Sequence, residues 1–167
     1  MRNPVVRSIA FNAVVAALYF GITMATSPFA FLAVQVRIAE ALVLLCFFRL
    51  DFAFGLTLGC FLSNLFSPLG IIDAGIGSAA TLISCLLVYL FKHLALATLV
   101  PVAANAFIVG AELHFILEEP FWTSVGLVAL GEFVAVSVLG YLLFMYLGRR
   151  PGFLRLIGAT KNQNFVL

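Results

Sequence analysis

Seven polar residues lie inside or at the edges of strongly apolar stretches: Arg37, Glu40, Asn64, Asp73, Asn105, Glu112 and Glu132. A charged side chain near the middle of a bilayer costs on the order of 2.5–3.5 kcal/mol on insertion scales, so each of these calls for a partner, a cavity or a function. Asn105 and Glu112 are seven apart, and Arg37 and Glu40 three apart, spacings that put each pair on one helix face. Four carboxylates and two amides with a single arginine suit a small polar ligand that brings hydrogen-bond donors or a cation, and would serve an anion poorly. A carboxylate accepts hydrogen bonds in pairs, and a guanine-like edge presents an N1–H and an exocyclic amine in matching positions. Phe29, Phe31 and Phe66 could stack on a flat ring.

Plainer roles stand beside these. Arg37 and Glu40 could form only an intrahelical ion pair, Asp73 could be an N-cap, and Asn64 could satisfy loop backbone after a helix end. Glu112, with His114, Glu118 and Glu119, could be interfacial and wet. Glu132 falls about ten residues into the last apolar stretch, ~15 Å deep at helical rise, where no nearby cation is evident. It is the strongest single candidate for a ligand contact.

A membrane frame must position these residues. Apolar residues make up 64% of the chain and charged residues 10%, with a mean hydropathy of +1.19. A soluble domain of that composition would be apolar over its whole surface, so the chain belongs in the bilayer. Its 167 residues allow about six spans at ~20 residues each.

The expected spans are Ser8 to Thr26, about Arg37 to Phe48, Phe52 to Phe66, Asp73 to Phe91, Leu94 to Leu113, and a last one that follows the interfacial anchor Trp122 and ends at Leu147. Residues 27–37 form an outer loop or cap that folds back on the bundle. Ser67, Pro68 and Gly70 break the third helix outside, and Arg49 and Asp51 make a tight inner turn. In this threading Arg2, Arg7, Arg49, Lys92, Arg149, Arg150, Arg155 and Lys161 are inside and Arg37 alone is outside, as the positive-inside rule asks. The expectation is an all-α six-transmembrane-helix bundle in the cell membrane, one domain over 1–167, with both termini cytoplasmic and a polar tail over 148–167. The seven polar residues then come from five spans, in the outer half or near the middle, and can converge on one pocket open to the outside.

Several function classes find no support. A P-loop needs Gly-Lys-Ser or Gly-Lys-Thr, and neither Lys92 nor Lys161 follows a glycine. No His/Glu metal spacing and no serine elbow occurs, so no enzyme activity, cofactor or metal is expected, and nothing points to nucleic acid. Cys46, Cys60 and Cys85 read as buried free thiols. Uphill transport would draw its energy from partners or an ion gradient. Ala13, Ala17, Gly21 and Ala25 recur every four residues, which makes a smooth groove on the first helix for another backbone, either a sibling helix or a partner protein. Gly75, Gly77, Ala79 and Ala80 make a second candidate close-packing region.

With these residues in view, the chain resembles the substrate-binding S components of energy-coupling factor (ECF) transporters, and within them the queuosine-precursor (QueT) family. The resemblance covers most of the chain. It rests on Ala13-x-x-x-Ala17, on Gln35-Val-Arg37-Ile-Ala-Glu40-Ala-Leu, on Gly59-Cys-Phe-Leu-Ser-Asn64-Leu-Phe, on Asp73 followed by Gly77-Ser-Ala-Ala-Thr81-Leu, and on Gly131-Glu132. It implies a six-helix S component that binds its ligand from outside and associates with a transmembrane coupling protein and two cytoplasmic ATPases, with the alanines of helix one facing the coupling protein. The implied ligand is a 7-deazaguanine such as queuine or its aminomethyl relative. One carboxylate would read the guanine-like edge and another would meet the cationic group, with Arg37 orienting a carboxylate and Asn64 binding or bracing the cap. The alternatives are an S component for another small vitamin, a stand-alone proton-coupled carrier using Glu132 or Glu112, and a purely structural membrane subunit.

Overall fold

The computed structural model describes residues 4–30 and 35–163, and their regular structure is helical throughout. Helix α1 (Pro4–Ala25) is followed by the single turn α2 (Ser27–Ala30). A 3-10 segment, Ile38–Leu44, runs into α3 (Leu45–Phe48). Helices α4 (Phe52–Asn64), α5 (Ile71–Val88) and α6 (Leu94–Leu117) follow. Helix α7 (Phe121–Glu132) continues through a π-helical segment, Phe133–Gly140, into α8 (Tyr141–Leu147), and α9 (Pro151–Ile157) comes last.

Four stretches are long and apolar enough to cross a membrane: Val5–Ala25, Ile71–Val88, Leu94–Leu117 and Phe121–Leu147. The second and third expected spans are shorter, Ile38–Phe48 and Phe52–Asn64. At helical rise the 13 residues of α4 cover ~20 Å of a hydrocarbon core ~30 Å thick. The 3-10 segment compensates in part, because its ~2 Å rise carries seven residues ~14 Å before α3 begins.

Helix α1 meets α4 through Gly55 and Gly59, which stand four residues apart in the Gly-x-x-x-Gly spacing of close helix packing. A Cβ on Gly55 would stand 2.5 Å from the Asn12 carbonyl oxygen, and one on Gly59 2.8 Å from that of Ala16, so the two backbones touch as only glycine allows. This contact uses the Asn12, Ala16 and Tyr19 side of α1. Ala13, Ala17, Gly21 and Ala25 face away and are exposed.

At the far end of the bundle Phe47, Phe48, Phe52 and Phe144 are buried, with Phe48 stacked on Phe144 at 6.2 Å between centroids. Residues 148–163 dock back onto the bundle. Phe153 of α9 packs edge-on to Phe48 and Phe144, Ile157 is buried, and Asn162 Nδ2 donates to the carbonyls of Phe47 at 2.8 Å and Phe91 at 3.0 Å. Asn162 thereby bridges a carbonyl in the last turn of α3 and one in the α5–α6 connection. Arg49 Nη1 donates to the Ile157 carbonyl, and Arg7 Nη2 to that of Leu156. The start of α1, the end of α3 and the C-terminal region are thereby tied together at one end.

Candidate functional site

The opposite end, where α5 begins, α6 ends and α7 begins, holds a cavity of about 190 Å³. That is smaller than the ~300–1,000 Å³ of most drug-sized pockets and suits one small molecule. Gln35, Asp73, Val109, Glu112, Ser124 and Leu127 are among its lining residues.

Glu112 is 3% exposed, lines the cavity, and neither of its carboxylate oxygens has a hydrogen-bond partner among the described residues. A buried polar atom left in that state costs ~1–3 kcal/mol, more for a charged group, so Glu112 is set up for a donor that the described residues do not supply. The structure therefore departs from the picture of Glu112 as a wet interfacial residue.

Asp73 also lines the cavity, but its carboxylate is already engaged. Arg37 Nη2 donates to Asp73 Oδ2 at 3.2 Å and to Oδ1 at 3.4 Å, with both side chains buried. Asn64 Nδ2 donates to the Asp73 carbonyl at 3.1 Å and to Oδ1 at 3.3 Å. Gly77, one turn further along α5, makes room for this cluster: a Cβ there would overlap Asn64 Nδ2 and lie 3.2 Å from Asp73 Oδ1. Its small size thus serves side chains instead of a neighbouring helix backbone. Asp73 sits in the first turn of α5 behind Gly70, so it is not the N-cap, and Arg37 forms its ion pair with this α5 carboxylate.

A second polar cluster lies deeper. Glu40 Oε1 accepts from the Tyr19 hydroxyl and from Thr81 Oγ1 at 3.1 Å, and Thr81 Oγ1 also reaches Cys60 Sγ at 3.2 Å. The Asn105 amide stands beside the carboxylates of both Glu40 and Glu132. Oε2 of Glu40 and Oε2 of Glu132 remain buried without a hydrogen-bond partner among the described residues. Glu132 is carried here by the end of α7, where the π segment starts, and Gly131 lets the Gln35 backbone cross directly over it. Such π segments often occur at functional sites.

The seven candidates thus divide into Glu112 at the cavity, the Arg37–Asp73–Asn64 brace beside it, and Glu40, Asn105 and Glu132 beneath. Tyr19 and Thr81, which nothing in the linear sequence marks as site residues, complete the lower group. Phe66 is exposed and packs edge-on to Phe20 away from the cavity, and Phe31 lies outside the described residues. Cys46, Cys60 and Cys85 are free and buried, as expected.

A family model described as QueT transporter matches residues 9–149. The chain belongs to the QueT transporter family. A relative from Lactococcus lactis subsp. cremoris (strain MG1363), named Queuosine precursor transporter QueT, is 30% identical over 154 residues, covering 83% of this chain and 90% of the relative. No solved structure matches significantly. Membership of a transporter family and four long apolar helices make this QueT-family chain a multi-pass membrane protein acting on a small molecule.

Proposed function

We propose that this chain is the substrate-binding S component of an ECF-type importer, taking up a queuosine precursor, queuine or a related 7-deazaguanine, from outside the cell. The observation that carries the reading is Glu112, a buried carboxylate with both oxygens unpartnered on the wall of a cavity sized for one flat base. Paired acceptors of this kind match the N1–H and exocyclic amine of a guanine-like edge. The name of the Lactococcus lactis relative supports the same substrate class.

In this reading the bundle has six spans with both termini cytoplasmic, and the cavity faces outward. Arg37 and Asn64 hold Asp73 at the cavity wall, and the separate polar cluster of Glu40, Asn105 and Glu132 is assigned to the ligand as well. The exposed Ala13, Ala17, Gly21 and Ala25 face of α1 meets the transmembrane coupling protein, because helix–helix contact in lipid favours small residues that let backbones approach. Two ATPase subunits supply the energy that this chain's own motifs do not.

Two measurements test this. Calorimetric titration of the purified chain with queuine, its aminomethyl precursor base, guanine and a vitamin panel should give binding to the 7-deazaguanines with discrimination against guanine. Uptake into liposomes should require coupling protein and ATPases, whereas pH-driven uptake by the chain alone would favour a proton-coupled carrier and contradict the S-component role.

A further inference from the structure

The end of the bundle away from the cavity is rich in cations, and several of them are already engaged. Arg49 pairs with Asp51, the one acid placed there among the described residues. Arg7 donates to the carbonyls of Arg155 and Leu156, and Lys161 to that of Tyr89. Arg149 and Arg150 differ from these. Both are exposed, and neither has an ion-pair partner among the described residues.

These two arginines stand at the elbow where the last apolar stretch, ending at Leu147, gives way to α9. The elbow is fixed from both sides. The Arg150 backbone N–H donates to the Leu147 carbonyl at 2.9 Å, Pro151 opens α9, and Phe153 packs edge-on to Phe48 and Phe144. Arg150 is also held through its side chain by Tyr146, one turn back. Its Nη2 donates to the Tyr146 hydroxyl at 2.8 Å, and its guanidinium carbon lies 4.7 Å from the ring centroid. A guanidinium carries five N–H donors in a rigid fork, so this contact orients the group and leaves most of its donors for a second acceptor.

An open recess of about 430 Å³ lies at this elbow, lined by Met145, Tyr146, Arg149, Arg150 and Pro151. Tyr146 belongs to the recess and also to an exposed apolar face of α8, shared with Leu142 and Leu143 four and three residues before it. An apolar strip that ends in a tyrosine and two arginines, at the limit of a membrane span, matches a molecule with one apolar and one anionic part. Acyl chain can lie along the leucines while a phosphodiester meets the guanidiniums, which bind phosphate oxygens in pairs. A soluble phosphate would leave the leucines unused.

We propose that Tyr146, Arg149 and Arg150 form a headgroup site for one anionic phospholipid, with its acyl chain against Leu142 and Leu143. The site does not depend on the substrate reading given above. A zwitterionic lipid offers the same phosphate but brings an ammonium toward two arginines, so the recess selects by net headgroup charge.

Native mass spectrometry of the full chain in neutral detergent, with equimolar phosphatidylglycerol and phosphatidylcholine of matched acyl chains, tests this. The wild type should retain phosphatidylglycerol in preference by about 10- to 30-fold, the attraction of two arginines for an anionic lipid. R149Q/R150Q should lose most of that preference. R155Q removes a cation from the same end but not from the recess, and should keep it. Glycerophosphoglycerol, the headgroup without acyl chains, should not displace the lipid even in large excess. Melting temperatures in phosphatidylcholine nanodiscs separate loss of the site from loss of fold, and the wild-type preference and the free-headgroup competition need no variant. An absent preference in the wild type would overturn the site outright. An equal loss in R155Q would replace it with diffuse attraction to a basic surface, and displacement by the free headgroup would replace it with a soluble-phosphate site.

Discussion

Arg37 and Asp73, 36 residues apart, form a buried ion pair in which one guanidinium nitrogen reaches both carboxylate oxygens at 3.4 and 3.2 Å. The pair ties the start of the 3-10 segment to the first turn of α5 and holds the cavity wall. Removing one partner from such a pair strands the other charge. D73N or R37M should therefore destabilise the protein by about 3–5 kcal/mol, and the double variant R37M/D73L by much less. Thermal or denaturant unfolding in detergent reads this, and a double variant no better than the singles would contradict it.

Two glycines of α5 should respond with opposite signs. At Gly77 a Cβ overlaps the Asn64 amide, so G77A should push Asn64 off Asp73 and cost about 1–3 kcal/mol. At Gly75 nothing lies within 4 Å of an added Cβ, and G75A should stabilise by up to about 1 kcal/mol through helix propensity. Melting temperatures of the two variants check the pair.

The α1 groove should separate binding from transport. Ala13 and Ala17 are exposed, while the side of α1 that packs internally is the one carrying Asn12, Ala16 and Tyr19. A13L/A17L should leave ligand affinity and melting temperature unchanged yet abolish co-purification with the coupling protein and uptake. Loss of ligand binding in that variant would place the groove in the bundle's own packing.

The C-terminal region makes a stability prediction. Asn162 donates to the carbonyls of Phe47 in α3 and Phe91 in the α5–α6 connection, so N162A should cost about 1–2 kcal/mol, in line with two lost hydrogen bonds. Unfolding measurements check the magnitude, and an unchanged stability would mean that water satisfies those carbonyls equally well.

What is legible in the sequence follows from the physics of each residue. Buried acids in apolar stretches are expensive, so Glu40, Glu112 and Glu132 stand out by their neighbours in the chain, and all are buried. The partner of Arg37 is not readable in the same way, because local spacing offers Glu40 three residues on while the actual partner is brought in by tertiary packing. Tyr19 reads as one more aromatic in an apolar helix; only its burial against Glu40 gives the hydroxyl a role. Gly77 looks like a helix-packing glycine, yet its missing Cβ accommodates the Asn64 side chain. The tail reads as polar from its composition, whereas Phe153 and Ile157 supply enough apolar surface to dock α9 and bring Asn162 to its carbonyls.

The most direct test is titration of the wild-type chain and E112Q with 7-aminomethyl-7-deazaguanine. Glu112 presents two unpartnered oxygens to the cavity, and the amide of glutamine replaces one acceptor with a donor at nearly constant size. The wild type should bind one equivalent and E112Q should bind at least about tenfold more weakly, ~1.4 kcal/mol, at an unchanged melting temperature. Equal affinity in the two proteins would remove Glu112 from the site and contradict its role as the reader of the base edge.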